Sequence, residues 1–207
     1  MEIVDIEGKS ENTIILKAQL PVNLLKDAYT ELRKLFPLVG EKVRIGDKIL
    51  ITPRLVLNLG KQYYFNGSTE KTKSIESSEH LLAIVEWANE NLKDYLNGKK
   101  FNSSLLNCYR TKEDHISYHS DSLKQLVKDS PIVTITLMED SESKPRKFYL
   151  KNINTKTVDK FDLTDGLILV MAGKCQKSHQ HCVPKLGGVK ETQIKGRISI
   201  TLRCLED

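Results

Sequence analysis

Three side chains that commonly bind metals stand out in the sequence: His119, Asp121 and, far downstream, His181. In an extended segment, residues two positions apart point to the same side of the backbone, so His119 and Asp121 could hold one ion together. The distant histidine would complete one triangular face and leave the opposite face open. Two histidines and one carboxylate in this arrangement are typical of Fe(II) that also binds a co-substrate and O2, so the pattern predicts a redox enzyme.

A second downstream histidine leaves the choice of ligand open. His179 and His181 are also two positions apart and would share one face of a strand, so spacing alone does not distinguish them. The four side chains could instead hold zinc in a hydrolase, because imidazole and carboxylate both bind that ion well. A surface turn at His119-Ser120-Asp121 with no metal is a further interpretation.

The last strand-like segment, Lys195 to Arg203, alternates strictly between apolar and polar residues. Arg197 and Arg203 fall on its polar face, with α-carbons roughly 20 Å apart at about 3.3 Å per residue. Long side chains leaning inward could close on a small dicarboxylate, which the planar guanidinium group pairs with in two places. The alternative is a solvated polar face on an edge strand.

The bulk composition predicts an intracellular globular protein. The chain has 207 residues, no apolar run near the roughly 18 residues that span a membrane, and no signal-like start. Its four cysteines form no CxxC pair, so we expect free thiols in a reducing compartment. The net charge of +5 favours polyanionic partners, and we expect a monomer that does not contact a membrane.

Periodicity places helices early in the chain and strands late. Apolar residues recur at three- and four-residue steps in residues 21–36 and 78–96, which predicts two amphipathic helices. Between them, residues 41–67 are strand-like with turn signals. Short β-rich runs then dominate, at residues 105–109, 132–137, 147–150, 158–163, 167–171 and 198–202. Many short strands separated by turns indicate a sandwich or barrel.

Six segments together resemble the AlkB family of Fe(II)/2-oxoglutarate dioxygenases. They follow the family's order: FNSSLLNCYR (101–110), HISYHSD (115–121), SPIVTIT (130–136), DGLILVM (165–171), QHCVPK (180–185) and GRISITLR (196–203). The resemblance implies an α+β, mainly β fold, a double-stranded β-helix (jelly roll) with supporting helices and an N-terminal nucleotide-recognition lid. It implies one domain over residues 1–207, with the helices and lid in about 1–100 and the catalytic core in about 101–205.

The resemblance also assigns residues to the catalytic centre. It implies that His119, Asp121 and His181 bind Fe(II), with His181 preferred to His179 because Cys-Val-Pro-Lys follows it. It assigns 2-oxoglutarate to five residues, with Arg197 at the carboxylate far from iron and Arg203 near the metal: Asn107, Tyr109, Arg197, Ser199 and Arg203. Ser199 departs from the family, which usually has asparagine there.

The front half resembles the family's lid. Thr52-Pro-Arg54 and the segment YYFNG (63–67) match lid segments in which arginine and aromatic side chains contact the flipped nucleotide, so Arg54, Tyr63 and Phe65 are predicted to bind substrate. Ordinary strand core is the alternative for both rings. Ile45 falls where some members carry an apolar finger, although a hairpin isoleucine is usually just packing. Ser122 stands where members commonly have an acidic residue facing the base.

The implied activity is oxidative demethylation of N-alkylated bases of the 1-methyladenine and 3-methylcytosine type in DNA or RNA. The implied cofactors are Fe(II), 2-oxoglutarate and O2, and the products are formaldehyde, succinate and CO2. Residues 144–147, with two lysines and an arginine, would hold phosphates. Alternatives are a dioxygenase acting on a substrate other than nucleic acid, the zinc hydrolase, and a basic nucleic-acid-binding module without catalysis.

Overall fold

Antiparallel strands are the main regular elements of the structure, a computed structural model that describes residues 2–4, 12–45, 47–63, 72–188 and 194–206. The larger sheet contains β1 (Glu2–Ile3), β2 (Thr13–Gln19), β5 (Leu55–Gly60), β6 (Ser103–Tyr109), β8 (Ile132–Met138), β11 (Leu167–Gly173) and β13 (Arg197–Arg203). Their order is β1-β2-β11-β8-β13-β6-β5. Because β13 lies between β8 and β6 and all its residues are buried, the solvated edge-strand alternative is wrong.

A smaller sheet faces the larger one. It contains β7 (Ile116–His119), β9 (Arg146–Asn152), β10 (Val158–Leu163) and β12 (His179–Val183), in the order β10-β9-β12-β7. Two further strands, β3 (Lys42–Ile45) and β4 (Lys48–Ile51), pair only with each other among the described residues. The predicted mainly β architecture is confirmed.

Helices cover the outer face of the larger sheet. They are α1 (Val22–Leu25), α2 (Ala28–Arg33), α3 (Glu79–Asn91) and α4 (Lys93–Leu96), with a 3-10 turn at Ile75–Ser77 and a short α5 (Cys175–Ser178) elsewhere. Ser78 caps α3, since its side chain accepts a hydrogen bond from the Leu81 amide at 3.3 Å. The predicted single helix over residues 21–36 is wrong: Asp27 adopts a left-handed conformation (φ 58°) and separates α1 from α2.

Strand alternation divides the core into two hydrophobic layers. Leu106, Ile135 and Ile200 point from the larger sheet toward the helices, and all three are fully buried. Leu105 and Leu169 point the other way and pack with residues of the smaller sheet such as Phe148. The inner face of the larger sheet is therefore shared between apolar packing and the polar groups of a cavity.

Leu106→Ala is expected to lower the free energy of unfolding by about 2–5 kcal/mol, because it opens a void between β6 and the helices. Leu106 is 0% exposed, whereas Leu38 is 89% exposed. Leu38→Ala is therefore the matched control and should change stability by about 0.5 kcal/mol or less. Denaturant unfolding measures both. A loss below about 1 kcal/mol for Leu106→Ala would mean that the helices do not seal this face.

All four cysteines, Cys108, Cys175, Cys182 and Cys204, are free and buried, as expected from their scattered spacing. No disulfide therefore holds the two sheets together. Within the described ranges, no helix is both long and apolar enough to cross a membrane.

Candidate metal and co-substrate site

A cavity of about 690 Å³ lies between the two sheets and opens beside the β3–β4 hairpin. Its floor is the inner, polar face of β13 together with inward residues of β6. Its wall on the other side comes from β7 and β12. The alternation of β13 dictates this arrangement, because it turns Arg197, Ser199, Thr201 and Arg203 inward while the isoleucines and Leu202 face the helices.

Strand pairing brings the predicted metal-binding side chains together. The β7–β12 register places His119 directly opposite His181, and Asp121 follows two residues after His119. One potential ligand atom from each of the three lies within 4.8 Å of the others. His179 is not part of this group: it pairs with Asn152, and its Nδ1 lies 2.8 Å from Ser178 Oγ. The geometry thus favours His181 over His179, although their roles as ligands stay a prediction.

Neighbouring groups fix the orientation of each side chain. His119 Nδ1 lies 2.8 Å from the Ser117 carbonyl oxygen, which requires a proton on Nδ1 and leaves Nε2, 3.9 Å from Asp121 Oδ1, as the ligand atom. The His181 ring stacks on Phe148 with centroids 5.3 Å apart. The Asp121 amide donates to Gln176 Oε1 at 2.9 Å, which ties the turn after β7 to α5.

The protonation states of His119, Asp121 and His181 favour binding of a cation. Burial, reinforced by His119, lowers the pKa of His181 to about 3, and burial also lowers the pKa of His119, so both imidazoles are neutral at pH 7. Burial alone would raise the pKa of Asp121, but the charge of Arg203, the two histidines and the hydrogen bond from Arg203 together outweigh it and hold that pKa below its usual range. Two neutral imidazoles and one carboxylate are donors that suit Fe(II).

Two buried guanidinium groups lie along the floor of the cavity. Arg203 Nη2 donates to Asp121 Oδ2 at 2.8 Å, so this arginine lies at the metal end. Arg197 lies at the other end, 5.2 Å from the centroid of the Tyr109 ring, and donates to Thr136 Oγ1 at 3.3 Å. The Nε and Nη1 atoms of both arginines are buried and lack a hydrogen-bond partner within the described ranges. Such donors fit an anionic ligand that spans the two ends.

Asn107 and Ser199 lie between the two arginines as a directly opposed pair on β6 and β13. Arg54 Nε donates to Asn107 Oδ1 at 2.6 Å, which orients the amide and leaves its NH2 group as the available donor. Tyr109 is 2% exposed and lines the same cavity. The structure thus brings together all five residues predicted to bind 2-oxoglutarate, and their contacts with it stay a prediction.

The residues predicted to bind substrate have different positions. Arg54 is 6% exposed and contacts Asn107 and the His115 carbonyl, so it lies in the cavity wall beside the co-substrate residues. Tyr63 is 2% exposed and its ring centroid lies 4.1 Å from the Arg203 guanidinium carbon. Ser122 is exposed at the cavity, and its amide donates to the Tyr63 hydroxyl at 2.9 Å. Phe65 and the Ile45 side chain lie outside the described residues.

Arg146 has a role that sequence reasoning missed. The expectation that it holds phosphates is wrong, because its side chain is buried and donates to the carbonyls of Thr111, Asp114 and Pro184 at 3.0, 2.6 and 2.8 Å. Its guanidinium carbon also lies 5.1 Å from the Tyr109 ring centroid. The only signal in the sequence is the alternation of β9, which puts Arg146 on the same face as Phe148 and Leu150.

Comparisons with known proteins agree with this geometry. A family model described as the 2OG-Fe(II) oxygenase superfamily matches residues 14–203. The alpha-ketoglutarate-dependent dioxygenase alkB homolog 3 of Rattus norvegicus is 28% identical over 87% of this chain and 61% of its own length. The DNA oxidative demethylase ALKBH2 of Arabidopsis thaliana is 29% identical over 96% of this chain and 68% of its own. The chain therefore spans about three fifths of the rat protein.

Solved structures show the fold. The structure of OsALKBH1 is similar with a TM-score of 0.56 at 19% identity, over 91% of this chain and 97% of that one. A Pseudomonas putida prolyl-4-hydroxylase gives a TM-score of 0.58 at 12% identity, over 93% and 92% of the two chains. The predicted jelly roll is thus confirmed. Since the family model covers nearly the whole chain, the protein belongs to the 2OG-Fe(II) oxygenase superfamily as an AlkB-like member, and the family's cofactors are Fe(II), 2-oxoglutarate and O2.

Proposed function

We propose that this protein is an Fe(II)- and 2-oxoglutarate-dependent oxidative demethylase of N-alkylated bases in DNA or RNA. One observation carries the oxygenase part of this proposal: the His119, Asp121 and His181 group and two buried arginines share a single cavity. The demethylase part draws on the relatives, one of which is named a DNA oxidative demethylase. A zinc hydrolase would not account for the buried guanidinium donors that lack a hydrogen-bond partner, so we favour the oxygenase.

Each residue has a distinct task in this proposal. His119, Asp121 and His181 hold Fe(II), and Arg203 keeps the Asp121 carboxylate ionised and oriented. Arg197 pairs with the distal carboxylate of 2-oxoglutarate at the far end of the cavity, beside Tyr109. Asn107 and Ser199 line the middle of the cavity. When bound, Fe(II) and 2-oxoglutarate supply the oxidation that hydroxylates the N-methyl carbon with O2, and the co-substrate leaves as succinate and CO2. The hydroxymethyl base then releases formaldehyde.

The nucleic acid would approach over the β3–β4 hairpin. Leu50 and Ile51 line the cavity at its opening and are 47% and 63% exposed, while Ile49 beside them is 67% exposed. Apolar side chains at such an opening would keep water from a base that enters it. Lysines of the hairpin would contact phosphates without reading sequence. We further propose that the protein acts inside the cell as a monomer.

Formaldehyde release from methylated oligonucleotides tests the proposed function. We expect turnover of at least one ring-N-methylated base in a panel of DNA and RNA oligonucleotides, dependent on Fe(II) and 2-oxoglutarate and detected by mass spectrometry of the repaired base. His119→Ala protein is the inactive control. Succinate formation without repair of any methylated base would contradict the demethylase proposal and leave a different hydroxylation substrate.

His181→Ala is expected to weaken binding of Mn(II), used as an O2-stable substitute for Fe(II), by about 100-fold or more, since loss of even an outer contact to a ligand costs 10–100-fold. Calorimetric titration of metal-free protein measures this. His179→Asn is the matched control, because His179 lies on the same strand face but outside the three-residue group, and it should bind the ion nearly as well as wild type. The reverse result would make His179 the ligand.

A further inference from the structure

The outer face of the smaller sheet carries aromatic and basic side chains on the side away from the cavity. Alternation along β9 turns Phe148 and Leu150 inward to the core, so Lys147, Tyr149 and Lys151 point outward. These three side chains are half-buried, and helices α1 to α4 lie on the larger sheet instead. In the described part of the chain, this outer face therefore remains accessible to a partner.

One row of side chains crosses the four strands of this face: Tyr118 on β7, Cys182 on β12, Tyr149 on β9 and Lys160 on β10. Cys182 lies directly opposite Tyr149, which lies opposite Lys160. Tyr118 interacts with Cys182 from the other side. Because neighbouring strands are about 4.8 Å apart, the backbones of the two tyrosines lie roughly 10 Å apart. The row thus presents two aromatic rings with a small thiol between them.

A lysine lies over each of the two rings. Lys151 Nζ is 4.0 Å from the centroid of the Tyr118 ring, and Lys160 Nζ is 5.3 Å from that of the Tyr149 ring. Contacts of this kind hold a cation against a ring without neutralising it, and they are weak at exposed positions. Both lysines can therefore move from the ring to a phosphate group when a base takes their place.

The net charge of this face is positive. Asp162 is the acidic residue on the outward side of β10, and it is paired with Lys147 at 2.5 Å. Asp159 lies on the inward side of the same strand. Among the described residues, Lys151 and Lys160 form no ion pair, so two positive charges stay uncompensated. The face therefore attracts a polyanion.

Rings and uncompensated lysines together select among polyanions. Single-stranded nucleic acid offers unstacked bases to aromatic rings and phosphates to lysines, whereas a duplex hides the faces of its bases. An acidic peptide would use the lysines and leave the rings unused. Tyr118 also lines the cavity, so the row of side chains begins at the candidate site and leads away from it across the sheet.

Resting on the proposed function, we infer that this face binds the single strand that flanks the base held in the cavity. Tyr118 and Tyr149 stack on bases of that strand, and Lys151 and Lys160 contact its phosphates. The strand passes around β7, which is the edge of the smaller sheet. The contact adds affinity without reading sequence, because every base has a face that can stack.

The lysine contacts are tested with an unmethylated, fluorescein-labelled single strand of about 20 nucleotides. Its binding to protein loaded with Mn(II) and 2-oxoglutarate is measured by fluorescence polarisation at several salt concentrations. Lys151→Gln with Lys160→Gln should reduce the slope of log affinity against log salt by about 1.4, since each phosphate contact contributes about 0.7. The loss of affinity should therefore grow by about 25-fold from about 1 M to about 0.1 M salt.

A control pair of lysines removes the same charge from the other side of the molecule. Lys26, at the end of α1, is exposed, and the Lys93 side chain in α4 is 65% exposed. Lys26→Gln with Lys93→Gln should leave the salt slope within about 0.3 of wild type and the affinity within about threefold. An equal loss in both pairs would reduce the effect to net charge and overturn the inference.

The stacking contact is tested without changing any charge. Tyr149→Leu should weaken binding of the same strand by about tenfold and leave the salt slope unchanged, because it removes a ring and no cation. Tyr149→Phe keeps the ring and should bind within about twofold of wild type. A thermal unfolding scan checks that both variants fold. Wild-type affinity in Tyr149→Leu would overturn the stacking role.

Competitors identify the polymer and separate this surface from the function on which it rests. Unlabelled duplex of the same sequence should compete at least tenfold less well than the single strand. Equal competition by the duplex or by polyglutamate would overturn the inference. A full effect of the variants on binding, with no demethylation of any base in the oligonucleotide panel, would defeat only the demethylase proposal. Demethylation with unchanged binding in the lysine and tyrosine variants would defeat only the inferred surface.

Discussion

Arg197→Met is expected to raise the KM for 2-oxoglutarate on the order of 100-fold while kcat at saturating co-substrate changes much less. Removing one partner of a buried charge pair costs about 2–5 kcal/mol, and 1.4 kcal/mol is tenfold in affinity. Arg197 is 2% exposed, and its Nε and Nη1 have no partner among the described residues, so these two donors are available to the ligand. Steady-state kinetics at varied 2-oxoglutarate measure the effect.

Two controls give this result its meaning. 2-Oxovalerate has the length of 2-oxoglutarate without the distal carboxylate, so wild type and Arg197→Met should use it with similar, poor KM values. The metal-free variant should be at least as stable as wild type, because a buried cation with unpartnered donors has been replaced by an apolar side chain of similar length. A KM increase below about threefold would place the carboxylate elsewhere.

Asp121→Ala is expected both to abolish metal binding and to lower the free energy of unfolding of the metal-free protein by about 3–5 kcal/mol. The second effect follows because Arg203, 2% exposed, would lose the carboxylate that it contacts at 2.8 Å and would remain as a buried charge. Denaturant unfolding measures the stability, and Mn(II) titration measures the site. His119→Ala should lose the metal at a smaller cost in stability, because it strands no charge.

The double variant Asp121→Ala with Arg203→Met tests the cause of that instability. Removing the stranded guanidinium should restore about 2 kcal/mol or more of the loss, whereas metal binding should remain absent. A double variant less stable than Asp121→Ala alone would contradict this explanation. It would mean that Arg203 stabilises the fold mainly through its contact with the Tyr63 ring.

Local patterns predicted the site better than they predicted its surroundings. The alternation of β13 was enough to place Arg197 and Arg203 on one face, and the two-residue spacing of His119 and Asp121 was enough to pair them. The ring of Tyr63 was predicted to meet a base, which stays a prediction, whereas its contact with Arg203 was not predicted. The sequence around Tyr63 does not indicate a contact with Arg203, 140 positions away, because contacts between strands depend on the register of the whole sheet.

Two errors in the predicted secondary structure have local causes. Strand β2 was not predicted because its residues, with Lys17 and Gln19 among apolar neighbours, lie in a front half dominated by helical periodicity. Pairing with β11 over seven residues, from Gln19 opposite Leu167 to Thr13 opposite Gly173, overrides that weak signal. The helix over residues 21–36 was predicted as continuous since periodicity does not register a single left-handed residue such as Asp27.

The burial of all four thiols affects how readily the protein is oxidised. Burial raises the pKa of Cys175 to about 12 and of Cys108 to about 11, and it also raises those of Cys182 and Cys204. Protonated, enclosed sulfur is a poor target for peroxide, because the thiolate is the form that oxidises. Oxidants released at a ferrous centre in the presence of O2 would therefore find all four cysteines buried and protonated, so we expect these thiols to resist oxidation.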